Sequence, residues 1–221
     1  MLIERTPNHA AAVLSKPSLL LFGAGGHARV VADAVLCSGQ WGVVLASDRD
    51  AKVCTGELLP GVAMVTLSGL PAAQGPACAL HVSIGHNASR QREAMLLGLD
   101  RLATVVHPSA SVSPHAFVAA GCFIAAQSVL APGVQLGTGV VINHAAVVDH
   151  EVRVGAFSHI APGAVLGGAA QIGARVLIGA GAVVLPGVSV CDDAVIGAGA
   201  VVSAHVLVAG TWAGVPARKL K

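Results

Sequence analysis

The sequence predicts an α/β amino-terminal half-domain of Rossmann-like type followed by a parallel β-helix, a solenoid of hexapeptide repeats. Three observations carry this. From Val106 to Val208 every sixth residue is aliphatic, without exception or insertion. Apolar residues make up 54% of the chain while aromatics make up 3% and Tyr is absent, so small and β-branched side chains must fill the core. Residues 18–39, SLLLFGAGGHARVVADAVLCSG, read as an apolar strand, a glycine-rich turn and a helix.

The expected organisation has four parts: an extra leader over 1–17, a nucleotide-sugar-binding βαβ domain over 18–105, the β-helix over 106–210 and a carboxy-terminal tail over 211–221. In the second part the helix after the glycine turn is expected to pack Val30, Val31, Ala34 and Val35 on one side. WGVVLAS is a second strand that ends at Asp48, and ALHVSIG over 79–85 a later one. Asn87 is the expected N-cap of a helix over 88–98. This is roughly half of a full dinucleotide fold, so a mononucleotide or nucleotide-sugar fits better than a nicotinamide cofactor.

The hexad excludes a helix, whose apolar period is about 3.6 residues. It fits a solenoid in which each hexad makes one short strand and one turn, and three hexads make one triangular coil. Residues 18 apart then stack. The aliphatic points inward, as does the small or β-branched residue two before it. Gly137, Gly155, Gly167, Gly173, Gly179 and Gly197 follow aliphatics, where they are expected to relieve the backbone at the corner.

Composition narrows the function. A net charge of +2 without a basic run argues against nucleic acid as a partner. The mean hydropathy of +0.75 raises a membrane reading. No stretch of about 18 residues stays apolar, so membrane insertion is not expected. The first residues lack a signal-peptide core. Cys37, Cys54, Cys78, Cys122 and Cys191 are scattered and form no CxxC, which reads as small buried residues of a reducing, cytoplasmic compartment.

Titratable chemistry concentrates in NHAAVVDHEVRVGAFSHIAPG, residues 143–163. His144, His150 and His159 all fall outside the inward slots, so each points away from the solenoid core. Gly23-Ala24-Gly25-Gly26-His27 after a strand suits a phosphate, because glycines admit an anion to the backbone and a helix N-terminus donates N–H groups. Asp48, ending the second strand, is placed to accept from a ribose or base.

The motifs LFGAGGHARVV, SIGHNASR, VINHAAVVDHEVRVGAFSHIAPGAVLGG and AGVPARK, in this order, resemble the sialic acid O-acetyltransferase family of hexapeptide-repeat sugar acetyltransferases. They look closest to its nucleotide-linked amino-sugar N-acetyltransferases of the bacillosamine-pathway type. The resemblance implies a left-handed β-helix and a homotrimer with active sites between subunits. It implies acetyl-CoA as co-substrate with no metal, and a nucleotide-linked amino sugar as partner. It carries the general base onto His150 and the acid that supports it onto Glu151. Sugar contact falls on Asn143, and an acetyl-CoA contact on His159. Gly168, Ala180 and Ala198 fall on backbone positions beside acetyl-CoA. Gly25, Gly26, His27 and Gly85 fall on the nucleotide-sugar site, with Ser47 and Asp48 as its base-binding pair. His144 has no counterpart, and Arg218 and Lys219 are either CoA-phosphate contacts or part of a frayed tail.

The implied reaction moves acetyl from acetyl-CoA to an amine or hydroxyl, with an imidazole removing the proton, worth roughly 10²- to 10⁴-fold. Glu151 or Asp149 would stabilise the imidazolium, and a backbone N–H the oxyanion. Three readings compete with N-acetylation: O-acetylation of sialic acid or another sugar hydroxyl, a trimeric histidine–zinc site of the carbonic anhydrase type, and a binding module without catalysis.

Overall fold

The computed structural model describes residues 16–69 and 78–220. The expected leader lies outside the described residues except for Lys16 and Pro17. Five strands form the first sheet: β1 (Leu19–Phe22), β2 (Val44–Ser47), β3 (Glu57–Leu59), β4 (Val62–Met64) and β5 (Ala79–Val82), in the order β3-β4-β2-β1-β5. β4, β2, β1 and β5 run parallel and β3 is antiparallel to β4. All four residues of β1 are buried, which suits the central strand of a sheet covered on both faces. The β3–β4 hairpin was not foreseen, although Pro60-Gly61, with Gly61 at φ 86°, is a legible turn signal.

Helix α1 (Gly26–Ser38) buries Ala28, Val31, Ala32, Ala34 and Val35 and ends at Gly39, whose φ of 59° forms a left-handed cap. Val30 is only half-buried. Helix α2 (Asn87–Leu97) starts one residue before the expected boundary. Its N-cap is His86, whose side chain accepts from the Ser89 N–H, and not Asn87. Among the described residues no helix is long and apolar enough to cross a membrane.

From residue 105 the chain forms a left-handed parallel β-helix of two-residue strands. One face stacks Val105–Val106, Phe123–Ile124, Val141–Ile142, His159–Ile160, Leu177–Ile178 and Val195–Ile196; the second and third faces follow at intervals of six. Each pairing joins residues 18 apart, as in Val141↔His159 and Val147↔Val165. The second residue of each strand enters a continuous core of Ile124, Leu130, Leu136, Ile142, Val148 and their successors, with Ala146, Ala164 and Ala182 from the small-residue slots. Burying such an aliphatic contributes roughly 1.5–3 kcal/mol.

Three sequence expectations need correction. The regular hexad ends at Val202. Val190 pairs with Val206 and Ile196 with Trp212, offsets of 16, so the last coil is two residues short and Val208 lies exposed. The left-handed backbone falls three residues after the aliphatic, not one: Gly121, Gln127, Gly133, Gly139, Ala145, Glu151 and onward every six to Gly199. The glycine directly after the aliphatic serves close approach of coils instead. A Cβ on Gly155 would sit 2.5 Å from the Ala174 nitrogen of the next coil, and one on Gly179 2.6 Å from that of Ala198. Finally, Cys54, Cys78 and Cys122 are buried, but Cys37 is exposed and Cys191 half-buried.

The amino-terminal domain covers the first solenoid face, chiefly through α1. Phe123 and Val141, in outward slots of that face, are 0% and 1% exposed because they pack against α1 residues such as Val31 and Val35. Phe157 joins Phe22, Leu80 and Ala94 in a second cluster at the same junction.

Candidate active site

Two sets of residues converge on this junction and its neighbouring corner. The first lines a cleft of about 460 Å³ at the carboxyl edge of the sheet, bounded by Gly25, Gly26, His27, Asp48, Gly85 and the paired cations Arg49 and Arg92. This is where open α/β sheets take ligands. Gly23 has a structural reason to lack a side chain: its φ is 129° and a Cβ would lie 2.8 Å from the Ser83 carbonyl. Gly25 and Gly26 have neither reason, for a Cβ on either meets nothing within 4 Å and neither has a left-handed φ. Their bareness leaves the start of α1 open. Gly25 caps that helix without any side-chain acceptor, so the first N–H groups face the cleft edge unpaired, an arrangement that favours an anion.

Among the described residues, the buried side-chain polar atoms without a partner are His27 Nε2, Ser47 Oγ and Ser83 Oγ. All three sit around this glycine turn: Gly23 N–H donates to the Ser47 carbonyl and Ser83 N–H to that of Phe22. Ser47, expected as half of a base-binding pair, is 0% exposed and does not line the cleft. Asp48 does line it, but its carboxylate also builds the loop, accepting from Ala24 N–H at 3.0 Å and Asp50 N–H at 3.1 Å.

Sequence reading missed the cations. Glu93, 2% exposed, holds Arg49 through one oxygen and Arg92 through the other. The two guanidiniums lower its pKa against the opposing effect of burial. Glu93 thus fixes two positive groups on the wall of the cleft. Single Arg residues on a helix and a loop carry no periodic signal that would have revealed this.

The second set sits at the corner following the second solenoid face. His150 and Glu151 are exposed, and His150 Nδ1 lies 3.3 Å from Glu151 Oε2. Glu151 occupies the left-handed corner at φ 59°, as six other non-glycine residues do, so the conformation belongs to the fold rather than to this residue alone. Asp149 does not reach the ring; its Oδ1 accepts the His150 backbone N–H at 2.7 Å. Between Asp149 and Glu151 as partner of the imidazole, the geometry selects Glu151. One coil on, Gly168 is buried beneath His150, and a Cβ there would collide with imidazole Nε2.

The residue two after each aliphatic has no backbone acceptor for its N–H. Proline fills the slot at 132, 162 and 186, and Asn143 and Asp149 side chains satisfy it at His144 and His150. Gly168, Ala180 and Ala198 fill the same slot with no acceptor among the described residues, as do Ala120, Ala126, Thr138, Ala156 and Asp192, so a free N–H here belongs to the repeat and Gly168 is set apart by lying beneath His150. Ala180 and Ala198 stack on the corner after the first face, along with His144.

His159 occupies an outward slot, as expected, and is half-buried there. It points from the first face into the junction, where Nδ1 lies 3.2 Å from the Gly85 carbonyl and Nε2 3.1 Å from Asn143 Nδ2. Its ring is 5.9 Å from that of His27. Burial and then the Arg90 charge push its pKa down to about 4, while the Gly85 contact works the other way. Burial, then His159, takes His27 down to about 3. His144, His150 and His159 therefore lie on two corners and one face rather than in one cluster. Arg218 and Lys219 are not frayed; they pair as a strand with Thr211–Ala213 and remain exposed.

Residues 18–97 match the PglD N-terminal domain, and residues 169–204 the bacterial transferase hexapeptide (six repeats). Among solved structures, the chain is similar to the acetyltransferase domain of PglB from Neisseria gonorrhoeae FA1090 in complex with acetyl coenzyme A. Identity is 33% over 93% of this chain and 100% of that one, with a TM-score of 0.83. It is equally similar to a histidine-to-alanine mutant of GDP-perosamine N-acetyl transferase from Caulobacter crescentus in complex with CoA and GDP-perosamine: 33% identity over 91% of this chain and 95% of that one, TM-score 0.83. WeeI from Acinetobacter baumannii AYE, at 20% identity over 91% of this chain and 99% of that one, shares the fold, with a TM-score of 0.58. No curated protein sequence matches the chain.

Proposed function

Because the chain belongs to the family of hexapeptide-repeat sugar N-acetyltransferases with a PglD-type amino-terminal domain, we propose that it transfers acetyl from acetyl-CoA to the amino group of a nucleotide-linked amino sugar. The observation that carries this reading is the stacking of His150, partnered by Glu151, on Gly168 with its free N–H. A base and an oxyanion donor one coil apart are what direct acyl transfer needs.

In this reading the neutral amine attacks the thioester carbonyl and His150 Nε2 takes its proton. Gly168 N–H donates to the oxygen that gains charge. The tetrahedral centre collapses, the C–S bond breaks, and the proton on His150 goes to the departing thiolate. Glu151 holds the ring and stabilises the imidazolium. No cysteine of the chain belongs to the site, so transfer is direct. The free N–H groups of Ala180 and Ala198 support contacts along the CoA chain. The cleft at Gly25, Gly26, His27, Asp48 and Gly85 takes the nucleoside diphosphate, with Arg49 and Arg92 as added cations and the unpartnered His27 Nε2 and Ser83 Oγ at its wall. Asn143 contacts the sugar. Residues 18–105 form the nucleotide-sugar domain and 106–210 the acetyl-transfer domain.

The active unit in this reading is a cytoplasmic homotrimer. Support comes from the second face, whose outward slots after Ser111 hold Val129, Val147, Val165, Val183 and Val201, all half-exposed, whereas the third face, after an exposed Phe117, presents Gln135, Arg153, Gln171 and Ser189. A valine stripe running beside the His150 corner suits a second copy of the chain.

Calorimetric titration with acetyl-CoA and, separately, with UDP, GDP and dTDP tests the division of sites. The expected result is binding of acetyl-CoA and of one diphosphate, the latter lost in G25V. Acetyl-CoA binding with no affinity for any diphosphate would move the acceptor to a free sugar, the O-acetylation reading.

A further inference from the structure

Among the described residues Arg90 is the largest fully buried side chain, 1% exposed, and no carboxylate among them meets it. A buried cation without a counter-ion is costly unless every donor is satisfied. Here every donor is. Nε donates to the Gly139 carbonyl at 2.8 Å. Nη1 donates to those of Ile84 at 2.9 Å and Gly85 at 3.0 Å. Nη2 donates to Asn87 Oδ1 at 2.9 Å and the Phe157 carbonyl at 2.7 Å. The planar fork thus ties α2 and the loop after β5 to two successive coils of the solenoid.

The Gly85 carbonyl is shared between Arg90 and His159, and this fixes a chain of hydrogen-bond polarity. His144 N–H donates to Asn143 Oδ1 at 2.9 Å, so the Asn143 amide turns its Nδ2 toward His159. His159 Nε2 must then accept, which places the ring proton on Nδ1, where the Gly85 carbonyl accepts it. Asn143 Nδ2 keeps one N–H unspent. The other charged or titratable groups facing His159 are Arg90 from α2 and His27 from the start of α1, and neither favours a cation there.

We propose that Arg90 is a positioning residue for the sugar side of the reaction: it holds the Gly85 carbonyl where His159 must donate to it, and so fixes the Asn143 amide with one N–H presented to substrate. His159 then acts through Asn143 rather than on acetyl-CoA. The proposal rests on the acetyl-transfer reading for what Asn143 contacts, but the tautomer it requires is a property of the free protein.

The first test is the ¹H–¹⁵N long-range spectrum of histidine-labelled full-length protein. His159 is expected as the neutral Nδ1–H form at neutral pH; the Nε2–H form would overturn the proposal even if the enzyme acetylates sugars. In R90Q, His159 is expected to lose that single form, and an unchanged His159 signal would equally overturn it. Kinetics supply a readout that packing alone would not move. His159→Gln retains an acceptor for Asn143 and a donor for Gly85, so its KM for the nucleotide sugar is expected within about threefold of wild type, whereas His159→Ala raises it about tenfold or more. Both should leave the KM for acetyl-CoA nearly unchanged. A rise confined to acetyl-CoA would contradict the proposal and return His159 to that substrate.

Discussion

The imidazole of His150 rests directly on the α-carbon of Gly168, the residue one coil further along, and Ala169 N–H ties the two corners by donating to the His150 carbonyl at 2.8 Å. The register of the solenoid, not a loop, therefore sets the distance between the proposed base and the proposed oxyanion donor. G168A leaves that donor in place but forces the ring aside. Turnover should fall by about 10²- to 10³-fold while far-ultraviolet circular dichroism stays native. A G168A variant with wild-type kcat would show that the ring position is immaterial.

Glu151 meets His150 Nδ1, whereas Asp149 meets only backbone. E151Q keeps a hydrogen-bonding group but loses the charge that steadies an imidazolium, and kcat should fall about 10- to 100-fold. D149N, which can still accept the His150 N–H, should lie within about threefold of wild type. Steady-state thiol release separates the two. Equal losses in both would mean that the acids share the role.

Acid should weaken the fold through its buried histidines. His81 is fully buried, its Nδ1 bonded to the Ala103 carbonyl at 2.9 Å, and burial takes its pKa down to about 4. The unfolded chain binds a proton at about 6.5, so between those values it holds more protons than the native state. Stability is full above that window and is lost as pH falls through it. His27 and His159, at about 3 and about 4, act in the same direction. Urea midpoints should drop from pH 7 to pH 4.5, and less steeply in H81Q. Identical slopes in the two proteins would remove His81 from this account.

Glycines of the solenoid divide into two kinds. G155A would push a Cβ to 2.5 Å from the backbone of the next coil, while G187A meets nothing within 4 Å and has only its φ of 71° to bear. G187A is expected to cost about 1–2 kcal/mol, the ordinary penalty of a left-handed alanine. G155A should cost more, since coils must part. Chemical denaturation of the two variants gives the comparison, and equal losses would deny the role of coil contact.

Much of this was legible in the chain, for a physical reason. A solenoid repeats one local rule, so the aliphatic at every sixth residue fixed the inward slots from Ile124 to Val202 and placed Gly168 beside His150. The rule failed where local pattern stops determining structure. The shortened last coil depends on Val206 and Trp212 taking over the stack, and an unbroken aliphatic at 208 disguised it. The cover over the first face was readable in principle: writing the chain in rows of 18 aligns Phe123, Val141, Leu177 and Val195 in outward slots, an apolar stripe that needs a partner. Arg90 was not readable, because its partners lie up to 68 residues away and are mostly backbone carbonyls; nor was the Arg49–Glu93–Arg92 group, because Arg49 and Glu93 are 44 residues apart and meet only in the folded chain. The bonds that Asp48 and His159 make inside the chain emerge only once the elements that hold them are packed together.

The central claim is acetyl transfer to a nucleotide-linked amine by His150, and thiol release from acetyl-CoA measures it most directly. The substrates should be UDP-, GDP- and dTDP-linked amino sugars alongside free sialic acid, with wild type and H150A compared. The account predicts turnover confined to one nucleotide-linked amine and a loss of about 10²- to 10⁴-fold in H150A. Turnover on free sugar hydroxyls alone, or an H150A variant as active as wild type, would contradict it.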